Sequence, residues 1–113
     1  MKTENHEVIF AIVNAGYAEE AMAVARENGA RGGTILNARG VAREKEAAFF
    51  GITIHADKEI LMLVVEKSIR DTILNALYKA MGMDKKAQGI AFSLPVSDVA
   101  GLVQLPEQSQ EEA

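Results

Sequence analysis

The first unbroken apolar run in the chain, Val-Ile-Phe-Ala-Ile-Val at residues 8–13, ends at Asn14 and Gly16. Rich in β-branched residues and without polar alternation, it predicts a central strand buried on both faces. The period then changes. Ala18, Ala21, Met22 and Ala25 recur at the i, i+3, i+4, i+7 spacing of one helical face, which predicts a helix over residues 18–28. Gly29 supplies the stop, because glycine takes the left-handed backbone that follows a last turn. Thr34, Ile35 and Leu36 resume extended structure after Gly32 and Gly33.

The second half repeats this grammar. Residues 59–66 read as a strand, and Ser68 with Asp71 three positions on approximates a capping box opening a helix. Ile69, Ile73, Ala76, Leu77, Ala80 and Met81 form one stripe, and Gly82 marks its end. After a polar turn, Ile90, Phe92 and Leu94 alternate along residues 89–96, a fourth strand. The order βαββαβ predicts an α+β, ferredoxin-like domain, with one antiparallel sheet and two helices on one face. A single domain is expected over residues 1–105, with a polar, acidic tail at 106–113 that is disordered.

Between the halves, residues 41–57 make a connection too long to be a plain turn, and they are read as a mobile loop. It carries Arg43, Glu44 and Lys45 among mixed charges, then Phe49, Phe50 and Gly51. Two adjacent phenylalanines there are either a folded-back hairpin or a partner surface.

Composition narrows the function classes. A net charge of −4 and a pI near 5.2 give no positive field to draw the protein onto phosphate backbones, so nucleic acid is not an expected partner. The absence of cysteine removes disulfides, thiolate metal sites and a cysteine nucleophile. The first residues lack the apolar run of a signal peptide and no run approaches the length of a spanning helix, so a cytoplasmic location is expected. His6 and His55 are the only histidines and neither has a second ligand at metal spacing. Asp57, Glu59 and Glu66 flank an apolar strand and read as its polar ends. Gly29, Gly32 and Gly33 follow a helix and precede a strand, the reverse of the phosphate-loop order, which makes a tight turn the simplest account. No catalytic constellation stands out, and the chain is read as a regulator rather than an enzyme.

From residue 8 to residue 92 the chain resembles the PII signal-transduction family. The resemblance is strongest in Gly32-Gly33-Thr34-Ile35-Leu36-Asn37-Ala38-Arg39-Gly40, and it continues through Val64-Val65, Asp71-Thr72 and the segment from Gly89 to Phe92. Arg43 and Lys58 fall on family-like basic positions. The string Gly89-Ile90-Ala91-Phe92-Ser93-Leu94-Pro95-Val96 is similar to a short-loop branch of the family.

The resemblance implies a homotrimer that binds an adenine nucleotide in clefts between subunits and docks its loop on a membrane transporter or a metabolic enzyme, in nitrogen regulation. It implies ligand contacts from Gly32, Gly33, Thr34, Arg39, Gly40, Arg43 and Val64, and a second wall that includes Lys85, Gln88 and Gly89. Arg43, Glu44, Lys45, Phe49 and Phe50 would meet the partner. The chain departs from the family in three places. Ile90 stands where a basic residue follows the glycine of the second wall, residues 97–102 lack the family's arginines, and Glu44 replaces a glutamine that helps hold a metal and 2-oxoglutarate. The loop is also shorter and has no tyrosine. These departures count against ATP together with 2-oxoglutarate, and ADP, AMP or ATP alone is the candidate effector. The alternatives are a small enzyme at a subunit interface, using Arg43, Glu44 and His55, and a structural oligomerisation module.

Overall fold

A computed structural model describes residues 5–41 and 56–101 of the chain. Six elements follow in the order β1 (His6–Asn14), α1 (Ala18–Glu27), β2 (Thr34–Gly40), β3 (Ala56–Glu66), α2 (Lys67–Met81) and β4 (Ile90–Pro95). The strands form one sheet in the order β2-β3-β1-β4, antiparallel throughout. This is the ferredoxin-like arrangement that the sequence pattern predicts.

The two-residue period of β1 decides where the core lies. Glu7, Ile9, Ala11 and Val13 are buried while His6, Val8, Phe10, Ile12 and Asn14 are only half-buried, so one face of the strand looks toward the helices and the other away. The helix side collects Ile9, Ala11 and Val13 from β1 and Leu61, Leu63 and Val65 from β3. Against them pack Ala18, Ala21, Met22 and Ala25 of α1 and Ile73, Leu77 and Met81 of α2. The predicted stripe of α2 is thus narrower than its sequence suggests, for Ala76 is half-buried and Ala80 exposed. The expectation that residues 8–13 are buried on both faces does not hold among the described residues: both helices lie on the same side, and Val8, Phe10 and Ile12 on the other are only half-buried.

The helix ends show where local sequence rules give way to tertiary contacts. Asn28 closes α1 and Gly29 follows at φ 108, the left-handed stop that the sequence predicts. Gly82 also closes its helix, but in an extended conformation with φ −62 and ψ 177. Glycine is needed there because a Cβ would come within 2.7 Å of the Tyr78 carbonyl oxygen. The Ser68–Asp71 capping box is not formed. The cap position of α2 is Glu66, which makes no side-chain cap bond, and the Asp71 carboxylate instead accepts from Arg70 Nε at 2.9 Å. The reason is continuity, since β3 runs into α2 without a linker and the Lys67 amide donates to the Asn5 carbonyl oxygen at 2.6 Å. β3 itself begins at Ala56, three positions before its predicted start, so Ala56 and Asp57 belong to a strand.

Gly33 and Gly32 make a controlled comparison. A Cβ on Gly33 would lie 2.5 Å from Leu63 Cδ2 and 3.0 Å from the Met62 carbonyl oxygen, whereas one on Gly32 would meet nothing within 4 Å. Gly33→Ala is therefore expected to cost about 1–3 kcal/mol through overpacking. Gly32→Ala is expected to be within about 1 kcal/mol of wild type, on the stabilising side. Urea-unfolding midpoints of the two variants check this; equal midpoints would mean that β2 does not approach β3 as described.

Candidate functional site

The candidate ligand residues fall on the two edges of the sheet. Gly32, Gly33 and Thr34 lead into the edge strand β2, with Thr34 in register with Met62 and Gly33 against Leu61 and Leu63. Arg39 and Gly40 end the same strand, opposite Asp57 and Ala56. From Thr34 to Gly40 the strand runs roughly 20 Å at about 3.3 Å per residue, so a ligand touching both must lie along the edge. Val64 sits on the adjacent strand on the same face as Thr34, 39% exposed. Lys85, Gln88 and Gly89 precede β4, which is the other edge. Three inter-strand spacings of about 4.8 Å put the two edges roughly 14 Å apart. A single chain does not bring the two groups together. Arg43, Glu44, Lys45, Phe49, Phe50 and His55 lie outside the described residues.

The segment before β4 is built with care. The Lys85 amide donates to the Gly82 carbonyl oxygen at 2.9 Å and the Gln88 amide to that of Lys85 at 3.0 Å. Gln88 sits in the left-handed region at φ 47, a conformation that costs a side chain other than glycine about 1 kcal/mol or more and persists only where neighbours enforce it. Gly89 follows it in close packing: its amide donates to the Met81 carbonyl oxygen at 2.6 Å, and a Cβ there would reach that oxygen at 2.5 Å and Val13 Cγ1 at 2.9 Å. Ala87 is buried, while Lys85 and Gln88 face solvent. The glycines at 33 and 89, singled out for a ligand, therefore each have a packing reason as well.

Sequence reasoning missed the polar contacts that hold these segments. Asn14 Nδ2 donates to the Lys86 carbonyl oxygen at 2.9 Å, its backbone amide donates to the Ala87 carbonyl oxygen at 2.8 Å, and its Oδ1 accepts from Lys58 Nζ at 2.6 Å. Glu59, read as the polar end of a strand, reaches over to the start of α1, where its Oε1 accepts from the amides of Gly16 and Ala18, each at 3.0 Å. Tyr17, at the cap position of α1, gives no side-chain cap bond, so this carboxylate serves instead, with the favourable end of the helix dipole beside it. Glu7, the buried charged side chain among the described residues, accepts from Arg70 Nη1 at 2.9 Å. Hydrogen bonds from the guanidinium first to Asp71 and then to Glu7 raise the Arg70 pKa above its ordinary value, so the cation is secure. Among the described residues no group of three or more His, Cys, Asp or Glu side chains is placed to hold a metal ion. No helix among them is long and apolar enough to cross a membrane.

The face of the sheet opposite the helices is the largest feature left. In register across β4, β1 and β3 stand Leu94, Val8 and Val64, then Phe92, Phe10 and Met62, then Ile90, Ile12 and Ile60, with Leu36 of β2 extending the last row. Ile90, Phe92 and Leu94 are 51%, 43% and 50% exposed, and the Phe10 and Phe92 rings stack with centroids 5.5 Å apart. The alternation that marks β4 in the sequence thus points its large side chains away from the core, toward water in a lone chain. Contiguous apolar surface of this kind is where proteins commonly associate or bind a ligand.

The model of the nitrogen regulatory protein P-II family matches residues 6–103. Among solved structures the chain is similar to Arabidopsis thaliana PII bound to citrate, at 24% identity and a TM-score of 0.65, covering 85% of this chain and 81% of that one. It is similar also to the B. subtilis GlnK–ATP complex, at 14% identity and a TM-score of 0.65, covering 84% and 86%. At these identities the two likenesses establish the fold. No curated protein sequence gives a significant match.

Removing the carboxylate of Glu59 leaves the Gly16 and Ala18 amides without it at the start of α1. Glu59→Ala is expected to lower stability by about 0.5–2 kcal/mol, the range for loss of a helix cap. Glu59→Gln, which keeps an acceptor oxygen, should recover part of that. Chemical denaturation of both variants reads this, and a Glu59→Ala protein as stable as wild type would show that the distant cap contributes nothing.

Proposed function

The chain belongs to the nitrogen regulatory protein P-II family, and on that premise we propose that it is a signal-transduction regulator, not an enzyme, which binds a small effector between the subunits of a homotrimer. The observation that carries the reading is the division of the candidate ligand residues between opposite edges of one sheet. In one chain β3 and β1 stand between the two groups, and bringing β2 of one copy beside the Lys85–Gly89 segment of another lets both meet one ligand. The apolar face that carries the exposed Val64, Ile90, Phe92 and Leu94 supports the same assembly, because a stable oligomer of a domain this small gains core by covering it.

The proposed effector is an adenine nucleotide, ADP, AMP or ATP. Thr34 with its neighbouring backbone would meet the base, and Gly40 and Arg43 the phosphates, with Lys85, Gln88 and Gly89 as the second wall. The citrate and ATP of the two similar structures support a small anionic ligand. With Ile90 in place of a cation, the second wall holds phosphate less firmly than a charged one would, which favours the diphosphate or monophosphate. The proposed partner is a membrane transporter or a metabolic enzyme of nitrogen regulation, met through Arg43, Glu44, Lys45, Phe49 and Phe50 in the cytoplasm.

Light scattering is expected to give about 37 kDa, three times the 12.2 kDa chain. Phe92→Asp, which puts a charge in the middle of the open face, should shift the mass toward the monomer. Calorimetry with ADP, AMP and ATP, with and without Mg²⁺, should show one nucleotide bound per chain. Arg43→Ala should weaken binding roughly tenfold, the worth of one charge-assisted contact. A wild-type monomer at micromolar concentration, or no heat with any of the three nucleotides, would remove the intersubunit cleft from consideration.

A further inference from the structure

Asn14 is the last residue of β1, the strand between β3 and β4, and its side chain works in both directions across the sheet. Toward β3 its Oδ1 accepts from the Lys58 ammonium at 2.6 Å, and toward β4 its Nδ2 donates to the Lys86 carbonyl oxygen at 2.9 Å. The chemistry leaves no ambiguity about which way the amide faces, since an ammonium only donates and a carbonyl only accepts. The ammonium on one side therefore aims the NH₂ group at the other. The backbone reinforces both arms: the Asn14 amide donates to Ala87 at 2.8 Å and the Ala15 amide to Asp57 at 3.0 Å. One amide side chain thus joins the start of β3 to the segment before β4, residues 44 and 72 positions away in sequence.

We infer that Asn14 is a positioning residue that couples the Lys85–Gly89 wall to the Lys58 ammonium. The assignment of 85–89 as a ligand wall rests on the function proposed above; the coupling across β1 rests on the contacts alone. Without the ammonium the Asn14 amide is free to turn, and the bond to Lys86 loses its enforced direction. The wall is sensitive to that loss because Gln88 is held in the left-handed region only by its surroundings. Lys58 therefore governs the placement of a segment on the far side of β1 that its own side chain does not bond.

Amide hydrogen exchange on the full-length protein without ligand decides the coupling. In Lys58→Met the Gln88 and Gly89 amides should exchange about fivefold faster, the ratio expected for loss of one hydrogen bond of ordinary net strength. The Ile9 and Leu63 amides should keep their wild-type rates. Asn14→Asp retains an oxygen for Lys58 but offers no donor to the Lys86 carbonyl, and it should speed the same two amides. Lys86→Ala, which keeps the backbone carbonyl, should leave them unchanged. ADP titrations on Lys58→Met and Asn14→Asp add a readout that stability alone does not move, with affinity lowered in both. Wild-type exchange at Gln88 and Gly89 in Lys58→Met would overturn the inference, as would a uniform rise that includes Ile9 and Leu63. If the wild-type protein binds no adenine nucleotide, the effector reading fails, while the exchange rates still decide whether Asn14 couples the two segments.

Discussion

A sheet with apolar side chains on both faces needs two covers, and the described residues place helices over only one of them. Ile9, Leu61 and Leu63 disappear completely under α1 and α2. One pleat over, Phe10, Met62 and Phe92 line a face on which no described helix packs. Burying one such side chain from full exposure is worth roughly 1.5–3 kcal/mol, and the nine in these rows are already about half covered or more, Phe92 being 43% exposed. A second cover therefore gains a part of that for each, a sum that matters against the roughly 5–15 kcal/mol stability of an ordinary domain. Which residues can meet a ligand follows from how that requirement is satisfied.

The fold was legible because each element carries its own periodic signal. The apolar run at residues 8–13 marked β1, the i, i+3, i+4 spacing of Ala18, Ala21 and Met22 marked α1, and Ile90, Phe92 and Leu94 marked β4. What the periodicity could not say is which face of a strand its apolar side chains occupy relative to the helices. An alternating strand looks the same whether its large residues point into the core, as Ile9 does, or away from it, as Phe92 does. Helix caps failed for a related reason. Ser68 and Asp71 have the right spacing for a local cap, but a strand that runs directly into a helix needs none, and the cap of α1 comes from Glu59, more than forty residues away.

The site was less legible than the fold. Thr34, Gly40 and Gly89 drew notice through a family resemblance, since their residue types say little about ligands; Gly33 and Gly89 are explained in part by close backbone approach. The contacts that organise this end of the sheet involve Asn14, Lys58 and Glu59, none of which belongs to a local motif. Their partners are set by strand register, Asn14 opposite Lys58, and by the path of the chain before β4. Register is a property of the assembled sheet, and a polar residue ending an apolar run carries no mark of the partner it will find.

These two levels meet at the edges of the sheet. β2 is exposed or half-buried along its whole length, and the helices pack on β1, β3 and β4. An edge strand is a hazard unless something covers it, and a second copy of the same chain is the partner always present at matching concentration. On the proposed reading, covering the open face also carries the β2 edge of one copy to the Lys85–Gly89 wall of the next, so assembly and completion of the cleft are one event. A ligand bound there bridges two chains and stabilises their association by mass action, while anything that shifts the wall alters both affinity and assembly. The contacts of Asn14 lie where those effects converge, because the residue that orients the wall on one side bonds Lys58 near the start of β3 on the other.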